Sequence, residues 1–493
     1  MLIFFSVIRS RDLSLDSTNA EYLKKHFLSK LYFYYINNVY YNIISNQLNN
    51  IFTGLFIVFY TLFLFNCVDW YTLCTLNSEK HLSEMIHLNN IFNINIFVWI
   101  LFIIYIFIVF CKLYSLANDI VDFKNIKKYY NTHLDIHDTK LATLKWNTII
   151  DSFKKYNNDN YINIYYINSK IAIKDNYFIT LIDKDKLQLN YLNDLMQWNI
   201  QYCFIHSMFT HDVHYNKQFL ELDNQFIIDI KKKTQFVALA NFIFMPFILI
   251  YIFFFNLFKY GERFYNKPKL LFSKHWTKMA KWKFRNYNEL YHEFHDKILI
   301  SYPACNEYSE QLPHKILEPF SKLIVFILSA FFIVLICVSI INEHILLKLY
   351  ILETKSTIWF LGVFASVITI FNSFIKDKII YNPKEKMKEI KKIINSIPNE
   401  WIDSDDKNDF SIYYQYRIIT IFKEIMYTLV IPFELFRISL DTKNILKFLN
   451  EITVNTPENV YMNVYAVFNS VISNRDPKTI DSIETFRKNN PEY

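Results

Sequence analysis

Five long runs of apolar residues constrain the fold of this chain more than any other feature of its sequence. They cover residues 51–67, 88–111, 234–258, 323–342 and 356–375. A helix needs about 20 apolar residues to cross the hydrocarbon core of a bilayer, and each run reaches or approaches that length. The sequence therefore predicts a polytopic membrane protein of the all-α class.

A sixth apolar run, 418–433, is interrupted by Lys423 and Glu424 and followed by Arg437. A charged side chain at the centre of a membrane costs a few kcal/mol, so we predict that this run does not span. Ionisable groups at membrane depth are functional candidates by default. Lys423, Glu424 and Arg437, beside the bend expected at Pro432, are therefore candidates for a polar path.

The distribution of Lys and Arg predicts the orientation, because cytosolic loops carry an excess of both. The loops between the first two runs and between the last two are short and nearly balanced in charge, which favours the lumen. The long connections 112–233 and 259–322 are basic and are predicted to be cytosolic. The run between them would then enter and leave by the same face. It contains Pro246, and proline within a helix removes a hydrogen bond and kinks the chain.

The predicted fold is an all-α polytopic membrane protein with four transmembrane helices, two Pro-broken re-entrant helices and cytosolic helical regions, with both termini in the cytosol. A plain six-span topology, which puts one basic loop in the lumen, is the alternative. The predicted regions are an N-terminal cytosolic segment (1–48), transmembrane helices 1 and 2 with a short lumenal loop (49–111, with helices at 49–67 and 89–111), a cytosolic helical region (112–235), re-entrant helix 1 (236–258), a second cytosolic region (259–321), transmembrane helices 3 and 4 (322–375, with helices at 322–342 and 356–375) and a cytosolic C-terminal region (376–493) that includes re-entrant helix 2 (418–438).

Composition excludes several classes of function. Only 3 of the 493 residues are Gly, too few for a Gly-rich phosphate loop or a dinucleotide-binding fingerprint. A net charge of +7 with 20% charged residues argues against nucleic-acid binding. The six cysteines form no CxxC pair, and His292 and His295 are three residues apart where a zincin helix needs four. We predict no covalent catalysis, no cofactor and no metal site.

Polar residues also lie within the apolar runs, for example Thr369 in the last one. Such residues form hydrogen bonds between membrane helices, each worth roughly 0.6 kcal/mol, or together line a hydrated path for lipid headgroups. The final stretch of the chain is polar, Asn-rich and interrupted by Pro457 and Pro477, so it is predicted to fray.

Several separated motifs resemble the autophagy-related protein 9 family of membrane proteins. The core of the resemblance is WKFRNYNELYHEF (282–294), which is similar to that family's W/FRxFNELxHE signature. Its motif residues in this chain are Phe284, Arg285, Asn288, Glu289, Leu290, His292 and Glu293. Further matches include Pro432, and Gly362 falls where the family also has Gly, which predicts close helix packing there. The similarity is collinear over about residues 25–470.

The resemblance implies a function. Members of the family are trimeric, largely helical proteins of Golgi- and endosome-derived vesicles that seed the autophagosome. They scramble phospholipids between leaflets and redistribute lipid delivered by a bridge-like transfer protein, autophagy-related protein 2. The chain is accordingly expected to be an ATP-independent phospholipid scramblase of the phagophore and cytoplasmic vesicles. Its expected partners are membrane phospholipids, two further copies in a homotrimer and the lipid-transfer protein.

In this family, charged residues in the turn after the first re-entrant helix face a central pore. Counting back from the tryptophan that follows puts Tyr265, Asn266 and Lys267 at this turn, with Arg263 and Lys269 close by. Only Lys267 of the three is charged, which departs from the family pattern. The predicted lipid path consists of Arg263, Lys267, Lys269, Thr369, Lys423, Glu424 and Arg437.

Two other functions remain open at this point. A membrane scaffold that recruits autophagy factors, with little scrambling, predicts that substitutions in the NELYHE motif (residues 288–293) abolish recruitment whereas Lys267→Ala changes nothing. An unrelated channel or transporter predicts selective currents in a planar bilayer. Neither a selectivity-filter run nor a pair of repeats in the sequence favours this third function.

Overall fold

The architecture is helical, with three short two-stranded ladders. The computed structural model describes residues 25–37, 40–75, 81, 84–92, 95–157, 163–187, 191–210, 215–266, 273–311, 317–341, 350–352, 355–372, 375, 382–403, 408–456, 461–468 and 476–491. The helices in chain order are α1 (Lys25–Ile36), α2 (Tyr40–Asn66), α3 (Trp70–Cys74), α4 (Ile96–Thr132), α5 (Asp138–Leu141), α6 (Trp146–Asn157), α7 (Ile164–Asp183), α8 (Asp194–Ile200), α9 (Lys217–Leu220), α10 (Asn224–Asn266), α11 (Lys278–Lys283), α12 (Tyr291–Gln311), α13 (Leu317–Ile341), α14 (Thr357–Asn372), α15 (Pro383–Ile393), α16 (Glu400–Asp403), α17 (Asn408–Tyr413), α18 (Arg417–Leu440), α19 (Thr442–Glu451) and α20 (Pro477–Asn489).

The strands are short and pair in antiparallel twos. The ladders are β1 (Lys274–Trp276) with β4 (Tyr414–Tyr416), β2 (Tyr350–Leu352) with β3 (Lys355–Ser356), and β5 (Thr453–Asn455) with β6 (Tyr461–Asn463). A π-helical turn, Gln201–Ile205, follows α8, and 3-10 turns cover Leu88–Phe92, His206–Met208 and Val464–Ala466.

The chain folds into two compact units, and each unit is built from more than one segment of the sequence. The first unit comprises Met1–Phe255, Asn286–His292 and Tyr427–Tyr493, and the second comprises Asn256–Arg285 and Glu293–Met426. Both α10 and α18 contribute residues to each unit, because the division falls within these helices.

Among the described residues, four helices are long and apolar enough to cross a membrane: Tyr40–Asn66, Val98–Thr132, Asn224–Gly261 and Glu318–Ile341. Three of them overlap the predicted transmembrane helices 1, 2 and 3, although α4, which corresponds to the second, begins at Ile96 rather than at the predicted residue 89. The predicted fourth span corresponds to α14, an apolar helix of 16 residues, which is short for a full crossing. The fold class is confirmed as an all-α polytopic membrane protein.

The two helices predicted to be broken by proline are continuous. Pro246 lies inside α10, which has 43 residues, and Pro432 lies inside α18, which has 24. Proline removes one backbone hydrogen bond, yet the helical bonds on both sides continue past it. The prolines therefore do not interrupt these helices, contrary to the prediction. The re-entrant course of the two helices stays a prediction, since α10 is long enough to cross a membrane.

In the first unit, α2 and α4 pack as an antiparallel pair of apolar helices. Ile51 of α2 forms a buried cluster with Val109 and Leu116 of α4. Gly54 leaves room for the side chain of Tyr105 on α4, because a Cβ atom at position 54 would lie 2.7 Å from the Tyr105 hydroxyl. Close approach at small residues is the usual means of packing helices in lipid, where burial of apolar surface gives little driving force.

Part of the C-terminal stretch, residues 477–489, forms a helix packed on the first unit, which corrects the prediction of fraying for this part. Helix α20 is capped at its N-terminus by Asp476, whose side chain accepts a hydrogen bond from the backbone of Thr479 at 3.0 Å. Phe486 of α20 is buried beside Phe468, with ring centroids 5.6 Å apart. Lys478 reaches Asp183 of α7 at 3.3 Å. Ion pairs and one aromatic anchor thus hold a helix whose average polarity suggests disorder.

Candidate functional site: a charged cluster beside apolar helices

The β1–β4 ladder in the second unit aligns two helices that carry charged residues. His275 pairs in register with Gln415, and the backbone N–H of Arg417 donates to the carbonyl of Ser273 at 3.0 Å. Helix α11 begins just after β1, and α18 begins directly after β4. The first turns of both helices are therefore fixed relative to each other, although they lie far apart in the sequence.

The ladder is anchored by an aromatic core on one face. Trp276 is buried with Phe284, Phe410 and Tyr414, and its indole N–H donates to the hydroxyl of Ser301 at 3.0 Å. Trp276 and Phe284 meet edge to face at 5.4 Å between ring centroids. A packed core with a satisfied polar atom gives the ladder a single arrangement, which in turn fixes the charged residues next to it.

Glu424 is the acidic centre of a group that we call the charged cluster, consisting of Asn256, Lys259, Lys278 and Glu424. The Glu424 carboxylate accepts a hydrogen bond from the side chain of Asn256, and the positive charges of Lys278 and Lys259 stabilise its ionised form. Asn256 and Lys259 lie on α10, Lys278 on α11 and Glu424 on α18. Three helices therefore supply one cluster that contains charges of both signs.

Burial makes the charged form of Lys278 costly. The pKa of Lys278 is lowered to about 8: loss of solvent is the main cause, the positive charge of Lys281 adds to it, and the negative charge of Glu424 partly opposes it. A partly desolvated lysine whose pKa is near neutral marks a functional site more often than a stabilising contact. The cluster is therefore the strongest candidate for contact with a charged ligand.

The other predicted path residues are placed differently. Lys423, adjacent to Glu424, donates to the side-chain oxygen of Gln415 at 2.8 Å. Thr369 donates to the carbonyl of Ala365 in its own helix at 2.8 Å. The side chain of Arg263 and residues Lys267 and Lys269 lie outside the described part of the structure, so their role in the path stays a prediction.

Arg437 lies in the first unit, whereas Glu424 belongs to the second. The Arg437 guanidinium pairs with Glu434 on the same helix, with a nitrogen–oxygen distance of 2.7 Å and 43% of its side chain exposed. An exposed ion pair between residues one turn apart contributes little to stability and needs no functional explanation. The structure gives Arg437 a partner on its own helix, and its role in the lipid path stays a prediction.

The NELYHE motif is held in the first unit by a network of buried amides. The side chain of Asn288 accepts a hydrogen bond from Asn176 of α7 at 2.8 Å and donates to the carbonyl of Ala466 at 2.8 Å. Asn288 has a φ of 58°, a left-handed conformation that asparagine tolerates better than most residues. Asn463 joins the network by donating to the hydroxyl of Thr180 at 2.7 Å.

Burial of this motif has a consequence for the scaffold function. Asn288, Glu289 and Leu290 are all at most 5% exposed, and Glu289 accepts a hydrogen bond from the backbone of Asn286 at 2.8 Å. Side chains enclosed in this way stabilise a turn and cannot contact a partner without unfolding it. Loss of partner recruitment after substitution of Asn288, Glu289 or Leu290 would therefore report misfolding as readily as a lost docking surface, whereas Tyr291 of the same motif is 54% exposed.

The remaining motif residues also have structural surroundings. His292 forms a hydrogen bond through its Nδ1 atom with the hydroxyl of Tyr32 at 2.8 Å, in agreement with a structural histidine. The other three motif residues belong to the second unit. Phe284 is fully buried, and Glu293 is half-buried at the start of α12. The Arg285 guanidinium lies 5.3 Å from the centroid of the Trp282 ring. Among the described residues, no group of three or more His, Cys, Asp or Glu side chains could hold a metal ion.

Gly362 does not have the close neighbours that its position predicts. A Cβ atom on Gly362 would have no other heavy atom within 4 Å among the described residues, and the surrounding groove is lined by Trp359, Val363 and Ser366. The close helix approach within this chain occurs at Gly54 instead. The prediction of tight packing at Gly362 within the chain is therefore wrong.

Sequence reasoning missed Lys278, Lys259 and Asn256 as partners of Glu424. Each lies in a stretch where a single polar residue is unremarkable, and none has a motif spacing to the others. The only signal in the sequence is Glu424 itself, a carboxylate within an apolar run. Its partners become visible only when the β1–β4 ladder brings α11 to α18.

The fold and the cluster define a class: a helical membrane protein in which partly buried charges of both signs lie next to long apolar helices. The family model described as autophagy protein ATG9 matches residues 17–469. The chain therefore belongs to the ATG9 family of autophagy proteins.

Curated relatives from three yeasts are similar over nearly the whole chain. Autophagy-related protein 9 of Kluyveromyces lactis is 27% identical over 478 residues, which cover 90% of this chain and 52% of that protein. The protein of the same name from Saccharomyces cerevisiae strain S288c is 26% identical, with 94% of this chain and 49% of that protein covered. For Schizosaccharomyces pombe the identity is 26%, over 94% of this chain and 70% of the relative.

A solved structure has the same fold. The cryo-EM structure of Schizosaccharomyces pombe Atg9 aligns with a TM-score of 0.68 and 25% identity, over 92% of this chain and all of that one. The chain spans about half the length of the curated relatives from Kluyveromyces lactis and Saccharomyces cerevisiae.

Proposed function

We propose that this autophagy protein is an ATP-independent phospholipid scramblase that supports expansion of the phagophore membrane. The observation that carries the proposal is the charged cluster, in which Glu424, Lys278 and Lys259 are brought together beside apolar helices. Nothing in the sequence suggests coupling to ATP, since three glycines cannot form a Gly-rich phosphate loop.

A scramblase must lower the cost of moving a polar headgroup through hydrocarbon, where an unpartnered charge is strongly disfavoured. The common phospholipid headgroups carry a phosphate and an amine. The carboxylate of Glu424 suits the amine, and the ammonium groups of Lys278 and Lys259 suit the phosphate. Charges of both signs in one place are therefore better matched to a zwitterionic lipid than a path of a single sign would be.

Exposed apolar side chains next to the cluster support the same function. Leu257 of α10 is 51% exposed and Phe422 of α18 is 61% exposed. These two residues stand on the same helices as Asn256 and Glu424. A lipid whose headgroup contacts the charged cluster could keep its acyl chains against this apolar surface, as lipid scrambling requires.

The partners and compartments belong to the same proposal. The protein acts as a homotrimer on Golgi- and endosome-derived vesicles and on the phagophore, with both termini in the cytosol. A bridge-like lipid-transfer protein of the autophagy-related protein 2 type delivers lipid to one leaflet, and scrambling equalises the two leaflets. Mass measurement of the purified protein in detergent tests the assembly, and a monomer would contradict it.

Reconstitution tests the activity directly. The purified full chain is placed in phosphatidylcholine vesicles that contain a trace of lipid with a fluorescent headgroup label, and dithionite is added to bleach the outer leaflet. Without exchange about half of the fluorescence survives, whereas a scramblase lets nearly all of it be bleached. Exchange no faster than in empty vesicles would overturn the proposal.

A matched pair of variants tests the role of the cluster. Glu424→Gln should slow exchange about tenfold, which corresponds to the loss of one charge-assisted hydrogen bond at the cluster. Glu451→Gln removes an exposed carboxylate from α19, whose side chain is 59% accessible, and should leave the rate unchanged. Equal exchange rates for the two variants would show that scrambling does not depend on the charged cluster.

A further inference from the structure

A set of basic side chains, two of them cationic at neutral pH, lies next to the charged cluster in the second unit. Arg417 begins α18, His275 lies in β1, and Lys281 lies one turn after Lys278 in α11. The positive charge of Arg417 acts on both His275 and Lys281, so the three groups are within electrostatic range of one another. We call these three residues the basic group.

The basic group has no acid to balance it in the part of the chain that the structure describes. No carboxylate there forms an ion pair with Lys281 or Arg417, while Glu424 is engaged with Lys278 and Lys259. The contact of Arg417 is with the ring of Tyr260, 5.9 Å from its Cζ atom to the centroid. Among the described side chains, these two half-buried cations have no carboxylate paired with them, an arrangement that an anion would stabilise.

Hydrogen-bonding capacity in the basic group is also unused. His275 Nδ1 and Arg417 Nε are shielded from solvent and have no hydrogen-bond partner among the described residues. A shielded donor without an acceptor costs free energy. Rotation of the Arg417 guanidinium toward an anion would give it acceptors, and a guanidinium suits two oxygens of the same group.

The ladder places His275 on the face of its strand opposite to the aromatic core. Side chains alternate along a strand, so His275 faces the side opposite to Lys274 and Trp276. Trp276 is buried in the aromatic core, whereas His275, Lys281 and Arg417 all keep partial exposure. A small anion can therefore reach the basic group without disrupting the core.

We propose that His275, Lys281 and Arg417 form a binding site for a phosphate group. A phosphate supplies more acceptor oxygens and more negative charge than a carboxylate, and so matches an imidazole, an ammonium and a guanidinium together. The phosphate belongs either to a free anion or to a lipid headgroup. In the lipid case the inference deepens the proposed scramblase function and rests on it, but binding of phosphate can be measured without any scrambling assay.

The first experiment uses inorganic phosphate as the probe. Thermal unfolding of the purified full chain in detergent is followed by tryptophan fluorescence in increasing phosphate, with sodium chloride at matched ionic strength as reference. The midpoint should rise saturably with phosphate, since a ligand of the folded state stabilises it. Lys281→Gln and Arg417→Gln should each weaken the apparent affinity about tenfold, and Arg417→Lys should retain part of it.

A surface lysine provides the matched control. Lys447 of α19 has 65% of its side chain exposed, and Lys447→Gln removes the same charge as Lys281→Gln. This variant should respond to phosphate like the unaltered protein. The proposed site would be contradicted if the unfolding midpoint rose equally in chloride. It would also be contradicted if the rise in phosphate persisted unchanged in both Lys281→Gln and Arg417→Gln.

The second experiment separates the two sources of phosphate. Dihexanoyl phosphatidic acid is titrated into the protein in the presence and absence of saturating inorganic phosphate, with dihexanoyl glycerol as the analogue that lacks phosphate. Competition between phosphatidic acid and phosphate assigns the site to a lipid headgroup. A phosphate response without competition assigns it to a free anion, and the phosphate site then stands even if vesicles show no lipid exchange.

Discussion

Asn288 and Asn176 form two hydrogen bonds with each other. The side-chain amide of Asn176 donates to the side-chain oxygen of Asn288 at 2.8 Å, and the backbone N–H of Asn288 donates to the side-chain oxygen of Asn176 at 2.9 Å. Both residues are at most 1% exposed. The most characteristic motif of the sequence is thus part of the internal framework of the first unit, which ties a turn to the middle of α7.

Replacing Asn288 should therefore destabilise the protein rather than alter a surface. Asn288→Ala removes both side-chain bonds, leaves the Asn176 amide and the Ala466 carbonyl without that partner, and places alanine at a φ of 58°. The expected loss is about 3 kcal/mol, or a fall of about 5 °C in the unfolding midpoint in detergent. Scanning fluorimetry of the purified variant measures it.

A double-mutant cycle shows whether the loss arises from this pair. Asn176→Ala should cost a similar amount, and the double variant should cost clearly less than the sum, because both single variants break the same interaction. Asn444→Ala, on an exposed face of α19, should stay within about 0.5 kcal/mol. Additive losses at positions 176 and 288 would mean that the two amides do not depend on each other.

The glycines give a second prediction with an internal control. Alanine is the better helix former by about 1 kcal/mol, but at Gly54 its Cβ would lie 2.7 Å from the Tyr105 hydroxyl. Gly54→Ala should therefore lower the unfolding midpoint, and Tyr105→Phe in the same chain should restore it by removing the obstructing atom. Gly362→Ala meets no described atom within 4 Å and should be neutral or slightly stabilising. A large loss at Gly362 would indicate contact with a second copy of the chain.

A third prediction concerns the docking of the C-terminal helix. The Asp183 carboxylate lies 2.9 Å from the ammonium of Lys184 and 3.3 Å from that of Lys478. Removing one member of a mostly buried ion pair leaves an uncompensated charge. Asp183→Asn should therefore loosen α20 and speed its release by trypsin roughly tenfold. Glu484→Gln, an exposed carboxylate on α20 itself, should leave the cleavage rate unchanged.

The apolar helices were predictable from sequence because their signal is local. An uninterrupted run of about 20 apolar residues satisfies its own backbone hydrogen bonds as a helix and excludes most alternatives in a membrane. The limits of the helices were less predictable: α4 continues to Thr132, well beyond the apolar run that ends at 111. Polar residues prolong a helix at little cost once a membrane segment has nucleated it.

The partners within the candidate site were not predictable, because each contact joins distant parts of the chain. Asn288 bonds with residues 112 and 178 positions away. The C-terminal helix was expected to fray because average polarity does not show that Lys478 is paired with Asp183. Glu424 was identified as unusual from its apolar surroundings, whereas its neighbours Lys278 and Asn256 follow only from the fold.

His275 gives a final prediction, which concerns acid stability. Burial, together with the positive charges of Arg417 and Lys281, lowers the pKa of His275 to about 4. The unfolded chain, with a histidine pKa near 6.5, binds a proton more readily than the folded protein. Folding stability should therefore decline as the pH falls from about 6.5 to 4, by an amount of the order of 2 kcal/mol from this residue.

Unfolding midpoints between pH 7.5 and 4.5 measure this decline. His275→Gln should flatten it, whereas His295→Gln, which removes an exposed imidazole from α12, should leave it unchanged. An equally steep decline in His275→Gln would assign the acid sensitivity to other groups. The same titration in saturating phosphate links this prediction to the basic group. An anion beside His275 favours the protonated form of its imidazole. The decline in stability should therefore be shallower in phosphate than in chloride of equal ionic strength.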